Sequence, residues 1–188
     1  MVQRVPNYTD VTINATYTLT ADAWNGTKGG VLFFRANGTV TVTGTISMLG
    51  NGYRGAGHSG YCGAGYWTAQ PGESIAGYST TGGGGGYASG YCSSSGMPGG
   101  GGGGYGTSGS SGVSGSGGSP GGGGGTYGSS DLSKTYLGSG GGDGLNVNGG
   151  SYDGDGGGII FISANATSVS GSITSNGDSG KDWGGLFT

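Results

Sequence analysis

From Val11 to Thr20 apolar and polar residues alternate, with Val11, Ile13, Ala15, Tyr17 and Leu19 on one side of an extended chain. That period of two predicts a half-buried strand over 11–20. A second strand-like stretch, VLFFRANGTVTVTGTISMLGNG, starts at Val31, and a third, IIFISANATSVSGSITSNGDSG, starts at Ile159. They read as one motif written twice with a single-residue gap. Phe33 matches Phe161, Ala36 and Asn37 match Ala164 and Asn165, and Val42, Gly44 and Ile46 match Val169, Gly171 and Ile173. Each copy predicts an apolar strand, a turn at Ala-Asn and a second strand rich in Thr, Ser and Val. Two such copies fit rungs of a solenoid or hairpins of one sheet. Either way they pack together and bring the ends of the intervening chain close.

The intervening chain changes the picture. Of 55 glycines in 188 residues, 7 lie in 1–52 and 5 in 159–188, leaving 43 between. The sequence therefore divides into an N-terminal β segment (1–52), a glycine-rich insert (53–158) and a C-terminal β segment (159–188) that completes the first, as one composite domain. Pure glycine runs occupy 82–86, 99–104, 121–125, 140–142 and 156–158. No strict Gly-X-Y period runs through them, which excludes collagen. A flexible Gly/Ser linker is the ordinary reading of such composition. Against it stand ten of the twelve tyrosines and Trp67, all within the insert, an aromatic load that solvated linkers lack. Polyglycine-II helices, with about three residues per turn and no internal hydrogen bonds, must find backbone partners on neighbouring rods. Runs of five or six glycines would give rods of roughly 15–19 Å. The expected fold class is mostly β with irregular regions: a sandwich- or solenoid-like strand frame around an insert packed as polyglycine-II helices. Disorder and a glycine-rich β arrangement are the alternatives.

Pure glycine runs spaced by Tyr- and Ser-bearing loops resemble the glycine-rich tip adhesins of T-even-like bacteriophages and other glycine-rich tail-fibre domains. The glycine-rich domain of some animal receptor tyrosine kinases is similar in backbone. The resemblance covers 53–158 and is one of composition. It implies a body of polyglycine-II rods with variable loops that contact a host receptor. The flanking strand motif, 31–52 and 159–180, has no counterpart in those adhesins.

Charge and candidate chemistry narrow the function further. Six Lys and Arg against nine Asp and Glu, with a net charge of −3, cannot make the electrostatic footprint of a nucleic-acid binder. No apolar run reaches the ~20 residues of a membrane span, so no membrane insertion is expected. None of signal-peptide length follows Met1 either, so synthesis without Sec targeting is expected. The lone histidine, His58, sits in GAGHSG and reads as a loop residue rather than a general base. No nucleophile elbow with partner residues and no phosphate-cradling Gly-Lys-Ser/Thr loop is present. The chain is therefore expected to be no enzyme and to need no cofactor. Cys62 and Cys92, in the matching settings SGYCGAG and SGYCSSS, are candidates for a disulfide worth about 3–4 kcal/mol in the chain-entropy model, or for free thiols. Asp143, Asp153 and Asp155 faintly resemble Gly-Asp calcium turns, with plain turn-making as the alternative. Asn7, Asn14, Asn25, Asn37 and Asn165 fit N-x-[ST], and turn chemistry accounts for them equally. Tyr66, Trp67, Tyr78 and Tyr136 are the candidate contacts for a receptor, since loop tyrosine gives large, low-entropy contact area. Trp183, Leu186 and Phe187, with the 11–20 strand, are the candidate assembly contacts. The expectation is a structural or adhesive surface protein, a phage tail fibre, tip adhesin or capsid-surface component made in the host cytoplasm and displayed on the virion. Its partners would be copies of itself, other virion proteins, and a host surface receptor or glycan. The alternative is an extracellular filament or matrix subunit.

Overall fold

Alternation along 31–42 decides where the core lies. Leu32, Phe34, Ala36, Val40 and Val42 are buried, and with Ile13, Ile46 and Met48 they form the main apolar cluster. The computed structural model describes residues 4–57, 66–91, 97–115, 118–129, 131, 133–145 and 151–182. Strands β1 (Asn7–Tyr8), β2 (Val11–Ile13), β3 (Thr18–Leu19), β4 (Val31–Val42) and β5 (Thr45–Ser47) precede the glycine-rich insert. Within it lie β6 (Tyr66–Thr68), β7 (Glu73–Ser74), β8 (Gly77–Tyr78), β9 (Ser89–Tyr91), β10 (Gly118–Ser119) and β11 (Ser151–Tyr152). After it come β12 (Ile159–Val169), β13 (Ser172–Thr174) and β14 (Lys181–Asp182). Among the described residues the only helix is a 3-10 turn at Thr80–Gly82, and the sheets are open rather than closed into a barrel.

The frame is a parallel stack of three tiers. β1 and β2 pair with β4, and β4 pairs with β12. β3 pairs with β5, and β5 with β13, in the same direction. Phe33 sits opposite Phe161, Ala36 opposite Ala164, Val42 opposite Val169 and Ile46 opposite Ile173. The Phe33 and Phe161 rings meet edge to face at 4.8 Å. The middle tier is covered from both sides, so Val40, Val42, Ile46 and Met48 are fully enclosed, each worth about 1.5–3 kcal/mol of burial.

Two local expectations fail for one reason. The chain does not turn at Ala36-Asn37; β4 runs straight through, and its extra residue is absorbed as a register shift between Ala164 and Ala166. Tier one satisfies the groups exposed there. Gly38 N–H donates to Thr9 O at 2.7 Å and Thr39 N–H to Asp10 Oδ1 at 2.7 Å, while the Asn165 amide donates to Asn37 O. The turn comes later, where Thr43 and Gly44 N–H both donate to Ile13 O at 2.9 and 3.0 Å. Ser170 and Gly171 repeat it on Val42 O. A Cβ on Gly44 would lie 2.1 Å from Asn14 O, and one on Gly171 1.9 Å from Gly44 O, so the corner stacks only without side chains. Tier one bends at the same place. The single strand expected over 11–20 is two short ones, closed by Tyr17 N–H on Asn14 O at 2.9 Å, and Ala15 and Tyr17 are exposed.

Glycine-rich segments run beside one another and bond in steps of three residues. Gly99 and Gly102 donate to Val113 and Ser110; Gly121 and Gly124 donate to Gly99 and Gly102. Gly101 and Gly104 donate to Gly86 and Gly83, Tyr53 and Ala56 to Gly138 and Gly141, and Gly138 and Gly141 to Gly157 and Gly154. These bonds span 2.7–2.9 Å. Directions are mixed: 121–124 runs parallel to 99–102, and 110–113 runs against it. Among the described residues apolar support is thin, a small cluster of Ala69, Ala88 and Leu145 with Met97 against it.

A Cβ on Gly84 would lie 2.2 Å from Gly72 O, and one on Gly101 2.0 Å from Gly122 O. Gly84→Val and Gly101→Val are each expected to lower unfolding free energy by about 3 kcal/mol or more, the upper range of overpacking. Ser110→Val, at an exposed position, should change it by less than about 0.5 kcal/mol. Urea denaturation of the three variants checks this.

Candidate interaction surface

The β7–β8 hairpin places Glu73 opposite Tyr78, with Ile75 exposed at its tip. The glutamate turns inward and the tyrosine outward. Glu73 Oε2 accepts from Arg54 Nε at 2.9 Å, Arg54 N at 3.0 Å and Trp24 Nε1 at 3.2 Å, and Oε1 accepts from Arg54 Nη2 at 3.3 Å. Burial alone would raise this carboxyl, but the Arg54 and Trp24 bonds outweigh it and hold Glu73 below its ordinary value. On the outer side the Arg54 guanidinium lies 5.7 Å from the Tyr78 ring centroid, within cation–π range. Trp24 meets Tyr53 edge to face at 5.9 Å. Tyr78, Arg54, Ile75 and Trp24 thus form an amphipathic patch pinned from beneath by one carboxylate.

A second aromatic group joins three other segments. Tyr105 and Tyr127 are perpendicular at 5.0 Å, and Tyr136 tilts against Tyr127 at 6.1 Å. Tyr127 O–H donates to Leu137 O and accepts from Ser139 Oγ at 2.9 Å; Tyr136 N–H donates to Tyr105 O–H at 3.3 Å. Burial pushes the Tyr127 phenol up to about 12 despite the Ser139 bond.

Of the residues singled out from sequence, Tyr78 is exposed in the first patch, and Tyr136 is half-buried in the tyrosine group. Tyr66 and Trp67 lie in β6, which pairs antiparallel with β9; their side chains lie outside what the structure describes. His58, Cys62, Cys92, Trp183, Leu186 and Phe187 also lie outside the described residues. The three candidate calcium ligands do not converge. Asp143 is buried, with its N–H on Gln70 O and its carbonyl accepting from Ala88, both at 2.9 Å. Asp153 and Asp155 line a cleft of about 640 Å³ together with Asp178. Burial raises the Asp155 carboxyl, whose Oδ1 accepts from Gly55 N at 2.7 Å. Among the described residues no group of three His, Cys, Asp or Glu side chains could hold a metal ion. Arg54, Glu73 and Trp24 were not legible in the sequence, because no spacing rule connects three positions brought together by backbone packing. No family model, no curated protein and no solved structure matches the chain.

Glu73→Gln is expected to cost about 1.5–3 kcal/mol at neutral pH, the range for hydrogen bonds to a charged group. Because the folded-state carboxyl is depressed, its contribution is present above the unfolded value near 4.5. It is lost as pH falls through the lower folded value. Thermal melts of wild type and Glu73→Gln should therefore converge on acidification. Tyr127 titrates the other way. Its raised value leaves its contribution complete below pH 10 and lost as pH rises towards about 12. Ultraviolet titration should show a late-titrating tyrosine component that is lost in Tyr127→Phe.

Proposed function

We propose that this chain is a non-enzymatic structural and adhesive surface protein, a bacteriophage tail-fibre or other virion-surface component. In this reading the insert is a bundle of short polyglycine-II rods carried on a solenoid-like frame whose second and third tiers are copies of one motif. The three-residue step of the inter-segment hydrogen bonds is the observation that carries it. A helix of about three residues per turn presents successive N–H groups about 120° apart, so each rod bonds neighbours on several sides. Such a bundle is rigid without a large apolar core, which suits a body that holds contact loops away from a particle. Tyr78, exposed, and Arg54, half-buried with its guanidinium over that ring, are the contact residues best supported, because aromatic and arginine side chains dominate recognition surfaces.

A second reading, a filament or matrix subunit, is favoured by one observation. No charged residue occurs from Ile159 to Thr174, so the third tier has an edge of the kind proteins normally blunt.

Competition separates the two. Purified chain should block adsorption of the phage that carries it, and Tyr78→Ala with Ile75→Ala, both exposed on the hairpin and clear of the Arg54–Glu73 pair, should weaken the block at least tenfold without changing the melting temperature by more than a few degrees. Full adsorption in the presence of excess chain, with antibody against the chain labelling a cell-surface matrix instead of virions, would overturn the first reading in favour of the second.

A further inference from the structure

β12 is eleven residues long and, among the described residues, pairs with β4 on one side only. Its bonds to β4 fix which groups face outward. Ile159 N–H donates to Gly30 O and Ser170 N–H to Val42 O, so strand alternation turns Ile160, Ile162, Thr167 and Val169 to the open edge. Beside that edge lies an apolar groove of about 890 Å³, walled by Ile160, Ile162, Ile173, Tyr105 and Tyr136. Phe161, Val169 and Ile173 are 53, 48 and 41% exposed. Their counterparts one tier down are more enclosed, Val42 and Ile46 completely.

At the opposite end, β1, β2 and β3 likewise pair only with the middle tier among the described residues, and the register fits. Asn7 and Tyr8 share their β4 partners with Ser163 and Ala164; Val11 and Ile13 share theirs with Thr167 and Val169. From Tyr8 to Val11 is three steps, and so is Ala164 to Thr167, whereas β4 spends four between Ala36 and Val40. The residue that forces a register shift on both faces of β4 is therefore missing from tier one and tier three alike. Each mates with the other without a bulge. Thr43 N–H on Ile13 O places the Ile13 backbone towards the middle tier and leaves Thr12 facing outward. Thr12 is thereby aligned to donate to Thr167 O and to accept from Val169 N–H of another copy.

We infer that tier one of a second copy of this chain docks in parallel on tier three, continuing the stack in its own register. The contact extends the interface already formed between tiers. Ile173 would meet the half-buried Leu19 of the second copy, repeating the Leu19–Ile46–Ile173 column within the chain. The hydroxyl ladder of Ser172 on Thr45, at 3.2 Å, would continue to Thr18 of the second copy. Because the two surfaces differ, the contact is head-to-tail and propagates linearly rather than closing into a dimer. It goes beyond the adhesive reading and rests on the β stack alone, so adsorption and association can fail independently.

Sedimentation velocity of the full chain over a concentration series tests it, with Val169→Pro and Thr12→Pro as end blocks. Proline is tolerated on an edge strand where the lost N–H faces outward. Wild type should form a ladder of dimers, trimers and longer species. Each variant alone should remain monomeric, and an equimolar mixture should give one discrete dimer, since one open end of each kind survives. Hydrogen exchange on wild type needs no variant: Ala164 and Val169 amides should slow at least tenfold as concentration rises through the association range. A wild type that stays monomeric, or amides whose exchange does not change with concentration, would overturn the inference. So would a Thr12→Pro chain that dimerises alone, which would mean that tier three pairs with itself. Failure of Val169→Pro to block association would overturn it as well.

Discussion

The structure depends on backbone groups of one segment bonding directly to backbone groups of the next, at a separation that leaves no room for Cβ. Ordinary domains bury apolar side chains and let the backbone satisfy itself inside helices and sheets. In 53–158 the order is reversed. Among its described residues the apolar cluster is small, and bonds between segments recur along the glycine runs. Glycine forfeits more conformational freedom on ordering than any other residue, so the arrangement holds only if nearly every run finds partners on more than one side. Gly101 shows how: its N–H bonds to Gly86, its carbonyl accepts from Gly142, and a Cβ there would collide with Gly122. Three neighbours meet at one residue.

The β frame supplies what the insert lacks. Its middle tier holds the enclosed side chains, and its corners use the same close approach on a smaller scale, with Gly171 seated over Gly44. The two parts meet where the chain leaves and re-enters the frame. Gly52 N–H donates to Gly156 O, Gly156 N–H to Tyr53 O, and Gly158 N–H to Met48 O. An apolar stack thus holds the two ends of the insert together, which removes much of the loop-closure cost of ordering it.

Some of this was legible in the sequence. The stretch from Val31 reads as an apolar strand, and β4 supplies most of the main buried cluster; which of its residues face inward is not legible there, because Val31–Phe34 is apolar without interruption. Phe33 and Phe161, matched by their place in the sequence, sit opposite one another in β4 and β12. The turn was misplaced. Ala36-Asn37 has turn chemistry, but Asp10, distant in sequence, satisfies the groups that a turn would otherwise have to accommodate. The Arg54–Glu73–Trp24 group was invisible for a related reason: its members sit on segments whose order in space is set by backbone bonding, which leaves no side-chain periodicity to read. Tyr78, singled out as a loop tyrosine, is exposed beside Arg54, a residue the sequence did not single out.

Residue-resolved hydrogen exchange on the native chain bears most directly on whether lateral backbone bonds hold the insert. Amides that donate between segments, Gly101, Gly102, Gly104, Gly121 and Gly124, should be protected to nearly the same extent as those of β4, because they open only when the molecule does. Exchange of those five amides at the rate of an unstructured chain, with β4 still protected, would contradict the account and leave a β frame carrying a free glycine-rich loop.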